Sequence, residues 1–505
     1  MRILRLLLIG SLLAFTACKS SQAPQGPAPD PNDYLSFLQV NDVYEIAPIQ
    51  GGKYGGMARL ATLKKQLREE KPPLFTVMAG DFLSPSVIGT VKIDGQRIKG
   101  AHMVDIMNAV GFDLVCFGNH EFDLKEAELQ ARLDESEFEW IAGNVRQNGP
   151  EGPQAFLRQE LPIEVTKVLQ VPRTQGSSLR IGVMSLCLPA NQQDYVHYED
   201  LKESALAQWK DLLPRSDFII ALTHLSIDQD RDLATWLPGL KLIMGGHEHE
   251  HHYEVVGGVP IAKADANAKT AYVHRVSFNR FTGEVSVKSE LNAIDETLSL
   301  DPEVTARVQT WEEKAYAAFK AQGLDLSAPV ASLETPLDGL ESHIRTRQTN
   351  LGQAMTQAMY QAWDSVDCAL ANGGMVRLDD YLAGDITQFD LVRALPFGGK
   401  VIRVKMQGHL LRQVLESGQR NIGSGGYLQW HLIQLKGGKW YIGGQPLDPD
   451  SVYSVAMGDF LLTGLEQNLG YLTPENPAIV SITHPAEQAI AGDVRLALAE
   501  YLKNR

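Results

Sequence analysis

The run GGHEHEHH, residues 245 to 252, offers four imidazoles and two carboxylates within eight residues. A histidine-rich tract taken alone is a compositional signal, equally at home in a solvated turn. Its meaning depends on ligand-type residues elsewhere. YLSFLQVND ends at Asp42, PLFTVMAGD at Asp81, FDLVCFGNHE at Asn119 and His120, FIIALTHLS passes through His224, and LKLIMGGHEH ends at His247 and His249. Carboxylates, imidazoles and an amide oxygen together suit borderline divalent metals such as Zn²⁺, Mn²⁺ or Fe²⁺. A carboxylate can bridge two ions, and a pair about 3.5–4 Å apart can activate water and clamp a phosphoryl oxygen. That is the chemistry of phosphate-ester hydrolysis, which needs an in-line nucleophile and positive charge around the equatorial oxygens.

Something must bring these residues together. Each motif closes a short apolar run bounded by turn residues, and helical patterns intervene at 57–70 and 124–136. Alternating strands and helices predict an α/β layered domain. In such sheets ligands collect beyond the carboxyl ends of the strands. DPEVTARVQTWEEKAYAAFKAQ, residues 301–322, reads as one amphipathic helix, and from about Ser327 the pattern changes to mixed helices and strands with many glycines. The expected organisation is a signal peptide over 1–17, a tether over 18–33, a first domain over 34–298, a connecting helix over 299–326 and a second, smaller α+β domain over 327–505.

The 505 residues carry a net charge of −15, which gives nucleic acid no general attraction and leaves it off the list of expected partners. Hydrophobic content of 44% supports a sizeable core without staples, and the four cysteines show no metal-binding or disulfide-rich spacing. MRILRLLLIGSLLAFTAC places two arginines before an apolar run that ends in small residues, as in a signal segment. The Pro- and Ser-rich KSSQAPQGPAPDPND that follows reads as a flexible tether.

The motifs Asn41-Asp42, Gly80-Asp81, GNHEFD at 118–123, Thr223-His224 and GHEH at 246–249 resemble, in order, the five signatures of the calcineurin-like metallophosphoesterases. RQTNLGQAM at 347–355, NGGMVR at 372–377, AGDIT and LPFGGKV resemble the C-terminal domain of 5′-nucleotidases. The resemblance covers roughly residues 34–480 and implies a layered metallophosphoesterase sandwich followed by a nucleotide-binding domain. Carried over residue by residue, it implies a first metal on Asp42, Asp81 and His249, and a second on Asp81, Asn119, His224 and His247. His120 would donate to the phosphate in the transition state, oriented by Asp123. Arg347 and Arg377 would hold anionic oxygens, Asn372 would contact the base, and Phe397 and Phe460 would sandwich it. His251 and His252 match no ligand and read as solvated turn residues. Ala17-Cys18 resembles a bacterial lipoprotein signal, which implies lipidation at Cys18, attachment to a membrane and a place in the cell envelope.

Two departures stand out. Where the family shows D-x-H, this chain has Asp42-Val43-Tyr44. The expectation is that Tyr44 lines the site while the first metal keeps Asp42, Asp81, His249 and solvent; the competing reading is a ferric phenolate. After Phe460 the family's Gly-Gly-Asp segment is replaced by FLLTGLEQNLGY, with Glu466 standing where a ribose-binding aspartate is expected. The leading reading is an exported phosphohydrolase of nucleotides with two metals. A cyclic-nucleotide phosphodiesterase or nucleotide-sugar pyrophosphohydrolase remains open, as does a non-enzymatic nucleotide-binding surface lipoprotein.

Overall fold

The computed structural model describes residues 30–70, 72–93, 95–173, 177–321, 323–486 and 489–504. Cys18 and the rest of the expected signal and most of the tether lie outside the described residues.

The first domain holds two six-stranded sheets. The strands of these sheets are β1 (Asn32–Val40), β2 (Leu74–Met78), β3 (Leu114–Cys116), β4 (Glu139–Ile141), β5 (Lys167–Val171), β6 (Leu179–Cys187), β7 (Phe218–His224), β8 (Ile243–Gly245), β9 (His252–Val256), β10 (Val259–Lys263), β11 (Thr270–Asn279) and β12 (Val285–Ala293). One sheet runs β12-β11-β1-β2-β3-β4 and the other β5-β6-β7-β8-β10-β9. The inner faces meet through Phe37, Val77 and Leu114 on one side and Ile181, Ile220 and Met244 on the other. The inner parallel strands β3, β7 and β8 are buried on both faces because helices cover the outside, as parallel sheets require. Met57–Glu69 and Ala101–Val110 cover the first sheet, and Leu201–Leu212 and Ile227–Trp236 the second.

Parallel pairing aligns the strand ends. Val40 lies opposite Met78, Met78 opposite Val115, and Cys187 opposite His224, so the polar tails of β1, β2, β3 and β7 leave the sandwich on one side. Close approach there demands glycine: a Cβ on Gly80 would stand 2.6 Å from Gly118 N and 2.7 Å from His224 Nδ1, and one on Gly118 would stand 2.1 Å from Asp81 Oδ1.

The helix Pro302–Ala321 buries Val304, Val308, Ala315 and Phe319 in the core of the first domain. Asp105 fastens it, accepting from Arg307 at 2.8 Å and from Trp311 Nε1 at 2.9 Å. The second domain is built on a five-stranded sheet of β13 (Cys368–Asn372), β14 (Val401–Gln407), β15 (Leu428–His431), β16 (Val452–Gly458) and β17 (Ile479–Thr483), ordered β15-β13-β16-β14-β17. Helices Asn350–Gln361 and Val494–Lys503 pack against it. Among the described residues no helix is long and apolar enough to cross a membrane.

Candidate active site

The strand-end carboxylates are fully buried. Asp42 and Asp81 are 0% exposed, as is His224, and one ligand atom from each lies within 4.8 Å of the others. Burial opposes their ionisation. His224 and His249 beside Asp42, and His224 and His120 beside Asp81, outweigh it and hold both carboxyls below the usual range. The same carboxylates raise His224, against the effect of burial, to about 9, so positive charge is drawn to this point. Burial and the nearby His224 instead lower His247 to about 4, which keeps its imidazole neutral and able to ligate.

Within this cluster Asn119 Oδ1 and His224 Nε2 are buried without a well-formed hydrogen bond. His224 Nδ1 lies 2.8 Å from the carbonyl of Ala79 and donates to it, which aims Nε2 at Asp81 Oδ2, 3.1 Å away, where a bound cation would take the place of the Nε2 proton. A ring nitrogen and a carboxylate oxygen that close, with an unpaired amide oxygen in the same set, fit a shared cation. The ligand set therefore suits a divalent ion on its donor chemistry as well as on its geometry. Asp42, Asp81, His247 and His249 all adopt positive φ, at 53°, 57°, 91° and 59°. Left-handed backbone is costly for such residues and is concentrated where function imposes it.

Hydrogen bonds hold these side chains in place. Asn41 Nδ2 and the His247 backbone N–H donate to Asp42 Oδ2 at 2.7 and 2.9 Å. The buried Glu121 accepts from the backbone N–H groups of Gly118, Asp81, Phe82 and Leu83, tying two strand ends together. Burial and the charge of Asp81 raise its carboxyl to about 7. Tyr44 Oη lies 3.0 Å from His249 Nε2 and 3.4 Å from both Asp42 Oδ1 and Asp81 Oδ2, the three residues expected to hold the first metal. Burial and these carboxylates push the phenol well above its usual value. His251 pairs with Asp265 at the surface, away from the ligands.

His120 sits at the edge of this cluster. Its Nδ1 lies 2.7 Å from Asp123 Oδ2, and Asp123 also accepts from Asn191 Nδ2 at 2.9 Å and Ser84 Oγ at 3.0 Å. A cavity of about 540 Å³ brings Tyr44, His120, Asp123 and His249 of the first domain against Arg377 and Phe397 of the second. The Arg377 guanidinium lies 5.6 Å from the Phe397 ring centroid. Phe397 itself is 71% exposed, a planar surface open to a ligand.

The remaining residues of the second domain are placed less uniformly. Asn372 Nδ2 donates to Glu466 Oε2 at 2.7 Å while its own Oδ1 is buried and unpartnered. Phe460 is half exposed, outside the cavity lining. Arg347 is 58% exposed at its side chain, pairs with Asp338 and His343, and also lies outside the lining. Arg345, two residues earlier, has a side chain only 20% exposed and pairs with Glu341, which does line the cavity. Sequence reasoning passed over Arg345, Glu121, Asn191 and Asp379.

A buried carboxylate and histidine cluster at the strand ends of an αββα sandwich defines a metallophosphoesterase. Residues 35–251 match the family described as calcineurin-like phosphoesterase, and residues 329–470 match the 5′-nucleotidase C-terminal domain. The chain belongs to the 5′-nucleotidase family and is a hydrolase of phosphate esters, and the metallophosphoesterase family it matches implies divalent metal. It is 26% identical to the 5′-nucleotidase of Homo sapiens over 498 residues, covering 85% of this chain and 83% of the human one. It is 27% identical to that of Bos taurus over 531 residues, covering 91% and 86%. The 5′-nucleotidase precursor of Thermus thermophilus shares the fold, with a TM-score of 0.69 at 21% identity over 93% of this chain and 96% of that one. So does the sulfate thiohydrolase SoxB of the same species, with a TM-score of 0.66 at 16% identity over 95% of each. One fold thus carries differently named activities, and the substrate has to be argued from the site.

Proposed function

We propose that this protein is an exported two-metal phosphohydrolase that converts nucleoside 5′-phosphates to nucleoside and phosphate. The observation that carries the reading is the shared cavity, which sets a cation and an aromatic face, Arg377 and Phe397, opposite His120 and the ligand cluster. Asp42, Asp81 and His249 would hold one ion, and Asp81, Asn119, His224 and His247 the other, with Zn²⁺, Mn²⁺ or Fe²⁺ suited to both. When bound, such ions supply an acidified water and positive charge for the phosphoryl oxygens. The chain's own groups do the rest. Arg377 binds phosphate oxygens through its planar fork. Phe397 offers the base a stacking face, and Asn372 with Glu466 supplies polar partners for the nucleoside. His120, its Nδ1 held by Asp123, turns its other nitrogen to the cavity and donates a proton or hydrogen bond to the leaving oxygen.

A second reading, a nucleotide-sugar pyrophosphohydrolase, is favoured by one feature. Past His120 the cavity reaches Arg97 and Lys99, and a further trough of about 630 Å³ adds Lys92 and Lys125. Room with positive charge on that side suits a substituent beyond the attacked phosphorus. Turnover decides the matter, read as phosphate released from nucleoside 5′-monophosphates and as nucleoside monophosphate released from cyclic nucleotides and nucleotide sugars. The highest kcat/KM is expected for the monophosphates; a higher value for either other class overturns the substrate assignment. Losing a hydrogen bond to a charged group costs about 1.5–3 kcal/mol, so Arg377→Ala is expected to raise KM for the monophosphate roughly 10–100-fold with metal content unchanged. An unaltered KM would remove Arg377 from the pocket.

Cys18 is proposed to carry a lipid that anchors the mature chain to the cell envelope. The support is the signal-like segment and the small residues before Cys18. Wild type is expected in the membrane fraction and Cys18→Ser in the soluble one. A soluble wild type with an unmodified N-terminus would refute the anchor.

A further inference from the structure

We infer that Asp379, a residue of the second domain, positions His249 as a ligand of the first metal, so that the metal centre is completed across the domain interface. The inference rests on the two-metal reading above.

His249 has both ring nitrogens engaged. Its Nε2 faces Asp42 Oδ1 at 3.3 Å and Tyr44 Oη at 3.0 Å, inside the ligand cluster. Its Nδ1 meets Asp379 Oδ2. An imidazole whose Nδ1–H is donated to a carboxylate presents the Nε2 lone pair in a fixed direction and with raised basicity. His249 belongs to the loop after β8 in the first domain, and Asp379 to the loop after β13 in the second. The partner that sets the tautomer of this ligand therefore comes from the other domain.

Asp379 is built to be there. Its backbone takes a left-handed φ of 42°, and its second oxygen accepts from the backbone N–H of Glu341 at 2.6 Å. The next residue pins the loop to the first domain. Asp380 is 1% exposed and accepts from Lys269 at 3.0 Å and Gln50 at 3.1 Å, both first-domain residues, and from Arg393 at 2.6 Å on its own side. Burial works against its charge, but Arg393 and Lys269 hold it at about 2. Two residues before Asp379, Arg377 lines the cavity. One short loop thus joins a substrate-facing cation, the orienting group of a metal ligand and an interdomain ion pair. A first site with Tyr44 in place of the expected histidine leans more heavily on the aim of the one imidazole it keeps.

The test is Mn²⁺ titration of the metal-free full chain by calorimetry, in wild type, Asp379→Asn, His249→Ala and the double variant. An asparagine keeps the size and can still accept from Glu341, but its amide N–H₂ faces Nδ1. His249 must then carry its proton on Nε2, which removes the lone pair from the ligand set. Asp379→Asn is expected to weaken one class of Mn²⁺ site about 10–100-fold, the range of an orienting group behind a ligand, and to leave the other class intact. In the His249→Ala background it is expected to add nothing, because the residue it acts through is gone. Asp379→Ser, which leaves Nδ1 without its carboxylate, gives a second reading if the asparagine variant fails to fold. Wild-type affinity in Asp379→Asn and Asp379→Ser, or an equal loss with and without His249, would overturn the positioning role while leaving the metal site standing. A His249→Ala variant with unchanged Mn²⁺ binding would instead bring down the ligand assignment and this inference with it.

Discussion

Replacing His120 by alanine is expected to lower kcat about 10²–10³-fold, the usual cost of losing one donor that stabilises transition-state charge. Metal content should stay where it is in wild type. The two outcomes separate because His120 serves the site twice, through different atoms. Its backbone N–H donates to Asp81 Oδ1 at 2.7 Å, and alanine keeps that bond. Its ring is held by Asp123, itself fastened by Asn191 and Ser84, and lines the cavity. Burial works against protonation, yet Asp81 and Asp123 raise the imidazole above its ordinary value, as a proton donor needs near neutral pH. Parallel measurement of kcat and of bound metal checks the prediction. Collapse of both together would make His120 a ligand or a structural residue.

Much of the site could be read before the fold was seen, and the reason is local. Asp42, Asp81, Asn119 and His224 each follow a short apolar run, so periodicity and turn residues place them at strand ends, where α/β sheets gather ligands. Parallel register does the rest, and the buried Asp42, Asp81 and His224 do meet. The residues that support them left no such trace. Asn191 reaches Asp123 from a loop 68 positions away, and Asp379 reaches His249 from another domain. No pattern of spacing along the chain encodes a contact made by two loops. Glu121 lay inside the GNHEFD string but gave no sign that its carboxylate would bind four backbone N–H groups.

The second domain was harder for a related reason. Arg345 and Arg347 flank one threonine, and the resemblance points to Arg347. In the fold Arg345 pairs with the cavity-lining Glu341, while Arg347 lies largely in solvent. Glu466 sits in a segment that departs from the family's, yet its carboxylate lies 2.7 Å from Asn372, the residue expected to meet the base. The helix at Pro302–Ala321 was legible from its amphipathic pattern, but its docking on the first domain depends on Asp105, which lies 202 positions before its partner Arg307.

The central claim is that the strand-end cluster holds the metal on which nucleotide hydrolysis depends, and removing that metal is the most direct trial. Purified protein is stripped with a chelator, freed of it, and assayed for phosphate release from a nucleoside 5′-monophosphate before and after Mn²⁺ or Zn²⁺ is returned. Asp81 lies buried between His224, Tyr44 and the His120 backbone, and none of these can acidify a water as a divalent ion does, so the loss should be nearly complete. Turnover is expected to fall to background on stripping and to recover on metal return in wild type. In His120→Ala the metal should rebind while turnover stays low. Unchanged phosphate release from protein shown to be free of metal would contradict the account.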